Sequence, residues 1–433
     1  MDPVPVPAST PRAWRFVVAH KTDVLIIGAG QAGLAMSRCL SGTGIDHVLI
    51  ERGEVGERWR AERWDSLRLL TPNWMTRLPG HSYQGDDPDG FMRRAEVVRF
   101  LENYKASFNA PVRTHTRVFE LSRAGSAFRV MTDRGIWIAR SVVVATGACD
   151  RPSVPAWASD LSHDIEQIVP ERYRSPDSLP AGGVLVVGAS ATGIQLSDEI
   201  HRAGHPVTIA AGRHVRVPRC YRGRDIMAWL DACGFLDERR APDADGLQLN
   251  RQPSLQLIGH PDRRSLDLQR LAERGVRIVG HAIGASGNVL AIAPDLAHEC
   301  AAAEGRRRKL LTRIDDFVEE AKLDAPEDPL AWAQPERIGC NFTRIDLRAA
   351  GIRSVVWATG YRRAYPWLRI PVLDETGEIR NTGGVSDLPG LFVLGLPFMR
   401  RRSSTFIDGV GRDAEELLPD IARHLKHIPR KAA

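Results

Sequence analysis

The sequence predicts an α/β protein made of two parallel βαβ units, the first left open and completed only at the end of the chain. Three observations carry this. An apolar run enters a glycine-rich turn and a helical pattern leaves it twice, at residues 23–40 and 183–200. Each turn-helix pair is followed by a glycine stop and a second short apolar strand. An apolar strand ending Ala-Thr-Gly then occurs once after each unit, at residues 141–147 and 355–360.

The first unit begins with an apolar strand to Ile27 and turns at Gly28-Ala-Gly30-Gln31-Ala-Gly33. A helix follows, then Gly42 and Gly44 as a stop, and the strand 47–50 ends at Glu51 and Arg52. Each piece has a physical task in a Rossmann-type dinucleotide fold. Gly28 makes the tight turn, Gly30 lets backbone approach a pyrophosphate, and Gly33 lets the helix lie on the strand. The helix N-terminus offers free N–H groups to phosphate, and an acid about 20 residues on suits ribose hydroxyls, the role expected of Glu51.

The second unit repeats the pattern with Gly188, Ser190, Ala191, Thr192 and Gly193, and Ser190 stands where the middle glycine would be. A nucleophile elbow would need Gly at Thr192, so a serine hydrolase is set aside. The strand after this helix runs into Ala211-Gly212-Arg213-His214 and carries no acid. Arg213, with Arg216 and Arg219 behind it, suits a 2′-phosphate, which favours NADPH over NADH. The alternative is that these arginines are solvated loop charges.

Between the units, residues 116–146 alternate in short apolar segments broken at Gly125 and Gly135, which predicts an antiparallel β meander returning to the first sheet. The expected domain order is a Pro-rich tail over 1–21, the first dinucleotide domain over 22–150 and a linker over 151–180. The second domain, with a helical insertion, spans 181–350, and 351–433 return to the first. The fold class is α/β, with two Rossmann-like three-layer ββα domains, the first discontinuous.

The balance of 59 Lys+Arg against 53 Asp+Glu in 433 residues is too even to indicate nucleic acid. The run Arg306-Arg307-Arg308-Lys309 reads as a solvated helix start, the alternative being a phosphate patch. No stretch approaches the roughly 18 apolar residues of a membrane helix. Residues 1–14 lack a signal-peptide pattern, and a cytoplasmic location is expected. Six scattered cysteines form no CxxC, so neither zinc spacing nor a redox dithiol is present and no metal site is expected. Trp59, Trp64, Trp74, Met75, Phe91 and Met92 crowd the stretch after the first unit, either as core or as a pocket wall.

Two nucleotide units, two Ala-Thr-Gly strands and a C-terminal return resemble the two-dinucleotide-binding-domain flavoproteins. The narrower likeness rests on Gly56-Glu-Arg-Trp59, residues 64–72, Tyr173-Arg-Ser-Pro, the arginine stretch 212–225 and Phe406-Ile-Asp-Gly409. These resemble the bacterial CzcO-type relatives of flavin-containing monooxygenases, with plant YUCCA enzymes as cousins. The resemblance implies FAD on the first unit, where Gly28, Gly30, Gln31, Gly33, Glu51, Arg52 and Ala145-Thr146-Gly147 would hold it. Arg58 and Trp59 would lie along the cofactor, Val118 would meet the adenine, and Asp408-Gly409 would aim a helix N-terminus at the flavin. It implies NADPH on the second unit, at Gly188, Ser190, Ala191, Thr192, Gly193, Arg213, Arg219 and Ala358-Thr359-Gly360.

Two positions depart from the family pattern. Val169 stands where the monooxygenase fingerprint has His, and Leu70 where the flavin-edge Asn is expected, leaving Asn73 as the nearest amide and the candidate catalytic residue. The implied activity is a class B-type monooxygenase acting through a flavin hydroperoxide, most readily an N- or S-oxygenation or a hydroxylation. The implied partners are molecular oxygen and a small organic substrate, and a homodimer is left open. An NADPH-dependent flavin reductase or dehydrogenase without oxygenation is the rival, and a flavin-binding redox sensor a third reading.

Overall fold

The structure is a computed structural model that describes residues 19–239, 254–339 and 342–427. The tail therefore lies outside the described residues up to 18, while residues 19–21 already belong to the first strand, Ala19–Ile27.

Two parallel sheets organise the chain. At the centre of the first, the strands Leu391–Val393, Gly135–Val144, Ala19–Ile27, His47–Ile50 and Val112–Arg113 lie side by side, all parallel. Val24, Leu25 and Ile26 are fully buried in one core with helix residues such as Leu34 and Val410 and with Leu121, Phe128 and Val130 of the segment 118–132, and an uninterrupted apolar strand suits two covered faces. The helix Gln31–Thr43 packs against the helix Ile407–His427, so the last described element closes the first unit. The meander is as expected: Val118–Ala124 pairs with Ala127–Thr132, and that strand with Gly135–Val144, both antiparallel.

The second sheet is all parallel, in the order Glu166–Ile168, Ile352–Trp357, Gly183–Val187, Val207–Ala210 and Arg277–Val279. This corrects two boundaries. Part of the expected linker 151–180 is an edge strand of this sheet. The strand Ile352–Trp357, assigned from sequence to the return segment, pairs beside Gly183–Val187, so the return begins only after Gly360. The reason is internal repetition: each Ala-Thr-Gly strand pairs with the first strand of its own unit.

The basic run is likewise corrected. It lies in the middle of the helix Leu296–Glu320, where Arg307 is buried and pairs with Glu304.

The chain crosses between domains twice, at Arg151–Pro152 and Tyr361–Arg362, and the two crossings pair antiparallel. Further ties hold the domains together. Arg174 Nη1 donates to the Arg63 carbonyl at 2.9 Å, Ser66 Oγ to Glu199 Oε2 at 2.5 Å, and Arg219 Nη1 to the Leu70 carbonyl at 2.7 Å.

Candidate active site

The two glycine turns are built alike. Gly28 and Gly188 both have φ of +109°, a conformation that side-chain-bearing residues rarely adopt. A Cβ on Gly28 would lie 2.5 Å from the Ala145 carbonyl oxygen, and one on Gly188 would lie 2.3 Å from that of Ala358. Gly28 N donates to Ile50 O at 2.8 Å, and Gly188 N to Ala210 O at 2.9 Å. On Gly33 and Gly193 an added Cβ would lie 1.9 Å from the carbonyl oxygen of Gly28 and Gly188 respectively, so each helix rests directly on its turn.

The middle position obeys a different rule. Gly30 and Ser190 cap the two helices with φ of −83° and −78°, which any residue adopts. A Cβ on Gly30 would meet nothing within 4 Å. Neither backbone strain nor a neighbouring atom of the protein requires glycine there, and the second unit carries serine.

In front of the first turn lies a cleft of about 730 Å³. Its lining includes Gly28, Gly30, Gln31, Glu51, Arg52, Arg58, Trp59, Val118 and Ala145-Thr146-Gly147. Glu51, buried, accepts from the amides of Ala29 at 2.8 Å and Gly53 at 3.1 Å. A carboxylate has about four acceptor sites, so this leaves capacity for hydroxyl donors. Gln31 bridges Trp59, whose Nε1 donates to it at 3.3 Å, and the Thr405 carbonyl, to which its Nε2 donates at 2.9 Å. Arg58 pairs with Glu62 at 2.9 Å and Asp150 at 2.6 Å and donates to the Cys149 carbonyl. Burial works against its charge, but Glu62 and Asp150 outweigh it and raise its pKa.

Other expected positions are placed differently. Asp408 and Gly409 stand in the first turn of Ile407–His427, but Thr405 is what reaches the cleft. The Asp408 carboxylate is held by Arg77, with Nε at 2.5 Å. Asn73 is corrected as a catalytic candidate. It is buried, its Nδ2 donates to Asp87 O at 2.9 Å, and its Oδ1 accepts from Met92 N at 2.7 Å. Both ends of the amide staple one loop. Of the aromatic-rich stretch only Trp59 lines the cleft, while Trp64, Met75, Phe91 and Met92 are core.

Arg219 is also corrected. It is fully buried, stacks over Phe91 and is paired with Asp225, its Nε at 2.8 Å, so it is spent within the fold. Arg216 is similarly engaged by Asp267 at 2.6 Å and Glu304 at 3.3 Å. Arg213 stays exposed at the end of Val207–Ala210. Its neighbour is Arg306, whose Nη2 and Nε donate to the His214 carbonyl at 2.7 and 3.2 Å. Burial lowers the Arg306 pKa, and the charge of Arg213 lowers it further.

Sequence reasoning read Arg306 as part of a solvated run and not as a partner of Arg213, and it did not find Gln256. The latter is buried and donates to the carbonyl of Ala189 in the second turn at 2.6 Å. Both come from distant segments, and no local pattern ties either one to the second turn. Thr359 Oγ1 donates to Ser153 O at 2.7 Å, tying the second Ala-Thr-Gly end to the crossing strand. Among the described residues no His/Cys/Asp/Glu group could hold a metal, and no helix is long and apolar enough to cross a membrane.

Comparison with known proteins agrees with this architecture. Residues 25–229 match the family model described as pyridine nucleotide-disulphide oxidoreductase. A CzcO-like oxidoreductase of Geobacillus kaustophilus is 31% identical over 408 residues, covering 94% of this chain and 99% of its own. The rice indole-3-pyruvate monooxygenase YUCCA1 is 29% identical over 371 residues, 84% of this chain and 82% of its own. Among solved structures, a flavin-containing monooxygenase from Stenotrophomonas maltophilia superposes with a TM-score of 0.63 at 21% identity, covering 94% of this chain and 99% of that one. The chain belongs to the CzcO-like oxidoreductases, a flavoprotein family of two dinucleotide-binding domains.

Proposed function

We propose that this protein is an FAD-dependent, NADPH-consuming monooxygenase that places one oxygen atom of O₂ on a small organic substrate by N- or S-oxygenation or hydroxylation. The observation that carries the reading is the duplicated glycine turn with an open cleft in front of Gly30. FAD and NADPH are the cofactors. The relatedness to YUCCA1, a monooxygenase, supports oxygenation over simple reduction.

When bound, FAD supplies the redox chemistry and oxygen activation, and the chain supplies binding, orientation and exclusion of water. The free amides of Gln31–Thr43 and the space before Gly30 receive the diphosphate, and Glu51 accepts ribose hydroxyls. Gln31, fixed between Trp59 and Thr405, holds the far end of the cleft in shape. The Arg58–Glu62–Asp150 network keeps the cleft wall rigid. At the second turn Gly188, Ala191, Thr192 and Gly193 form the coenzyme's diphosphate seat, and Arg213 with Arg306 receives the 2′-phosphate. The protein acts in the cytoplasm.

The test is NADPH oxidation under isotopically labelled oxygen across a panel of amines, sulfides and carbonyl compounds. Substrate-stimulated oxidation with one labelled atom in the product is expected. NADPH consumption that yields only hydrogen peroxide with every compound points to the reductase reading.

A further inference from the structure

We propose that Arg63 recognises a carboxylate on the organic substrate, gripping it from an aromatic slot between Trp59 and Tyr361. The proposal deepens the reading above and rests on the cleft being the FAD-bearing active site.

Arg63 lines the cleft, and its guanidinium carbon lies 5.9 Å from the ring centroid of Trp59 and 5.9 Å from that of Tyr361. Trp59 belongs to the short helix Glu57–Ala61 of the first domain, and Tyr361 directly follows the second Ala-Thr-Gly. The slot therefore sits at the seam between the two nucleotide-binding units.

A guanidinium carries five N–H donors. In Arg63 the structure shows one nitrogen engaged, Nη1, at 2.8 Å from the Glu62 carbonyl. The acids around the cleft are committed elsewhere. Glu51 holds the amides of Ala29 and Gly53, and Glu57 that of Glu54. Glu62 takes Arg52 and Arg58, and Asp150 takes Arg58 and the Ala364 amide. Among the described residues no carboxylate lies within ion-pair distance of Arg63. Glu171 is close enough to feel its charge, yet both its oxygens are buried without a hydrogen-bond partner. Burial raises the Glu171 pKa, with Glu62 adding to that and Arg63 and Arg58 opposing it, and Glu171 makes no ion pair with Arg63.

Arg52 and Arg58 are neutralised by the protein, while Arg63, Arg117 and Arg151 line the cleft without an ion pair among the described residues. Of these three, Arg63 is the one set between two aromatic rings. Its backbone, not its side chain, does the structural tethering, because the Arg63 carbonyl accepts from Arg94 at 3.1 Å and from Arg174 at 2.9 Å. The planar fork matches a carboxylate bidentately, and the flanking rings suit a flat, apolar body attached to it.

The experiment titrates the FAD-loaded holoenzyme with benzoate and with its neutral isostere benzamide, following heat of binding and the flavin absorption spectrum. Benzoate should bind at least tenfold more tightly than benzamide. Arg63→Ala should weaken benzoate tenfold or more and leave benzamide unchanged, and Arg63→Lys, which keeps the charge without the fork, should recover part of the difference. FAD content and NADP⁺ affinity are measured on the same proteins. No benzoate binding, equal binding of the two probes, or unchanged benzoate affinity in Arg63→Ala overturns the proposal. So does a variant that loses FAD, or one whose NADP⁺ affinity falls in place of benzoate, since the anion would then be a cofactor's. A wild-type protein that retains no FAD refutes the active-site reading itself.

Discussion

Replacing Gly30 with valine should empty the protein of FAD without unfolding it. The backbone at Gly30 has φ of −83° and ψ of −169°, an extended conformation that a β-branched residue accepts. An added Cβ meets nothing within 4 Å, so no core contact is strained. The folding cost is that of a poorer helix cap, about 1 kcal/mol, which in a chain this long moves the melting temperature by only a few degrees. The binding cost is larger. The valine methyls would stand where the diphosphate must approach the helix amides. Each hydrogen bond to a charged group lost there costs about 1.5–3 kcal/mol, and losing two weakens binding by roughly a hundredfold or more. The assay is flavin content of purified protein, read against protein absorbance, beside thermal melts by circular dichroism. Gly33→Ala is the contrasting variant. Its Cβ would lie 1.9 Å from the Gly28 carbonyl oxygen, so it should lose fold and flavin together. Stoichiometric FAD in a folded Gly30→Val protein would refute the placement of the diphosphate.

Three further outcomes are expected. Ser190→Val, at the matching position of the second unit, should retain FAD but slow flavin reduction by NADPH at least tenfold, as read by anaerobic stopped-flow. Gly188 is unsuitable for that test, since its φ of +109° and the Ala358 carbonyl 2.3 Å from an added Cβ would break the turn itself. Arg213→Ala should raise KM for NADPH roughly ten- to a hundredfold, the loss of one charge-assisted phosphate contact, and barely alter NADH, whereas a uniform drop in both activities would make Arg213 merely structural. Glu171→Gln should melt higher than wild type above neutral pH. The Glu171 pKa is raised in the fold from 4.5, so the folded state binds the proton more tightly and loses stability as pH climbs through that window. The advantage should vanish in melts below about pH 4.5, and an advantage that persists there would implicate packing in place of charge.

Much of this molecule is legible from one sequence because the two nucleotide units are local. Gly28, Gly30, Gly33 and Glu51 lie within about 25 residues of one another, and their spacing alone specifies a strand, turn, helix and acid. What was not legible is long-range. The arginines 213, 216 and 219 look equivalent in sequence, but Asp267, Glu304 and Asp225 had already claimed two of them. Arg306 comes to the same strand end from a helix almost 100 residues away. Asn73 was chosen by proximity to a motif, and only the fold shows Asp87 and Met92 closing both ends of its amide. The domain boundary was misplaced for a related reason: an apolar strand does not announce which of two similar sheets it will join.

The paired crossings at Arg151–Pro152 and Tyr361–Arg362 have a modular consequence. The described residues between Ser153 and Gly360 enter and leave through neighbouring strands, so the two crossings are topologically a hairpin whose loop is a folded body. Such an arrangement lets one module be exchanged for another without rethreading the host, because the host's two cut ends already touch. What resists exchange is the seam. Trp64 and Leu67 of the host pack into the core of the guest, and a replacement body would have to offer them an equally apolar seat.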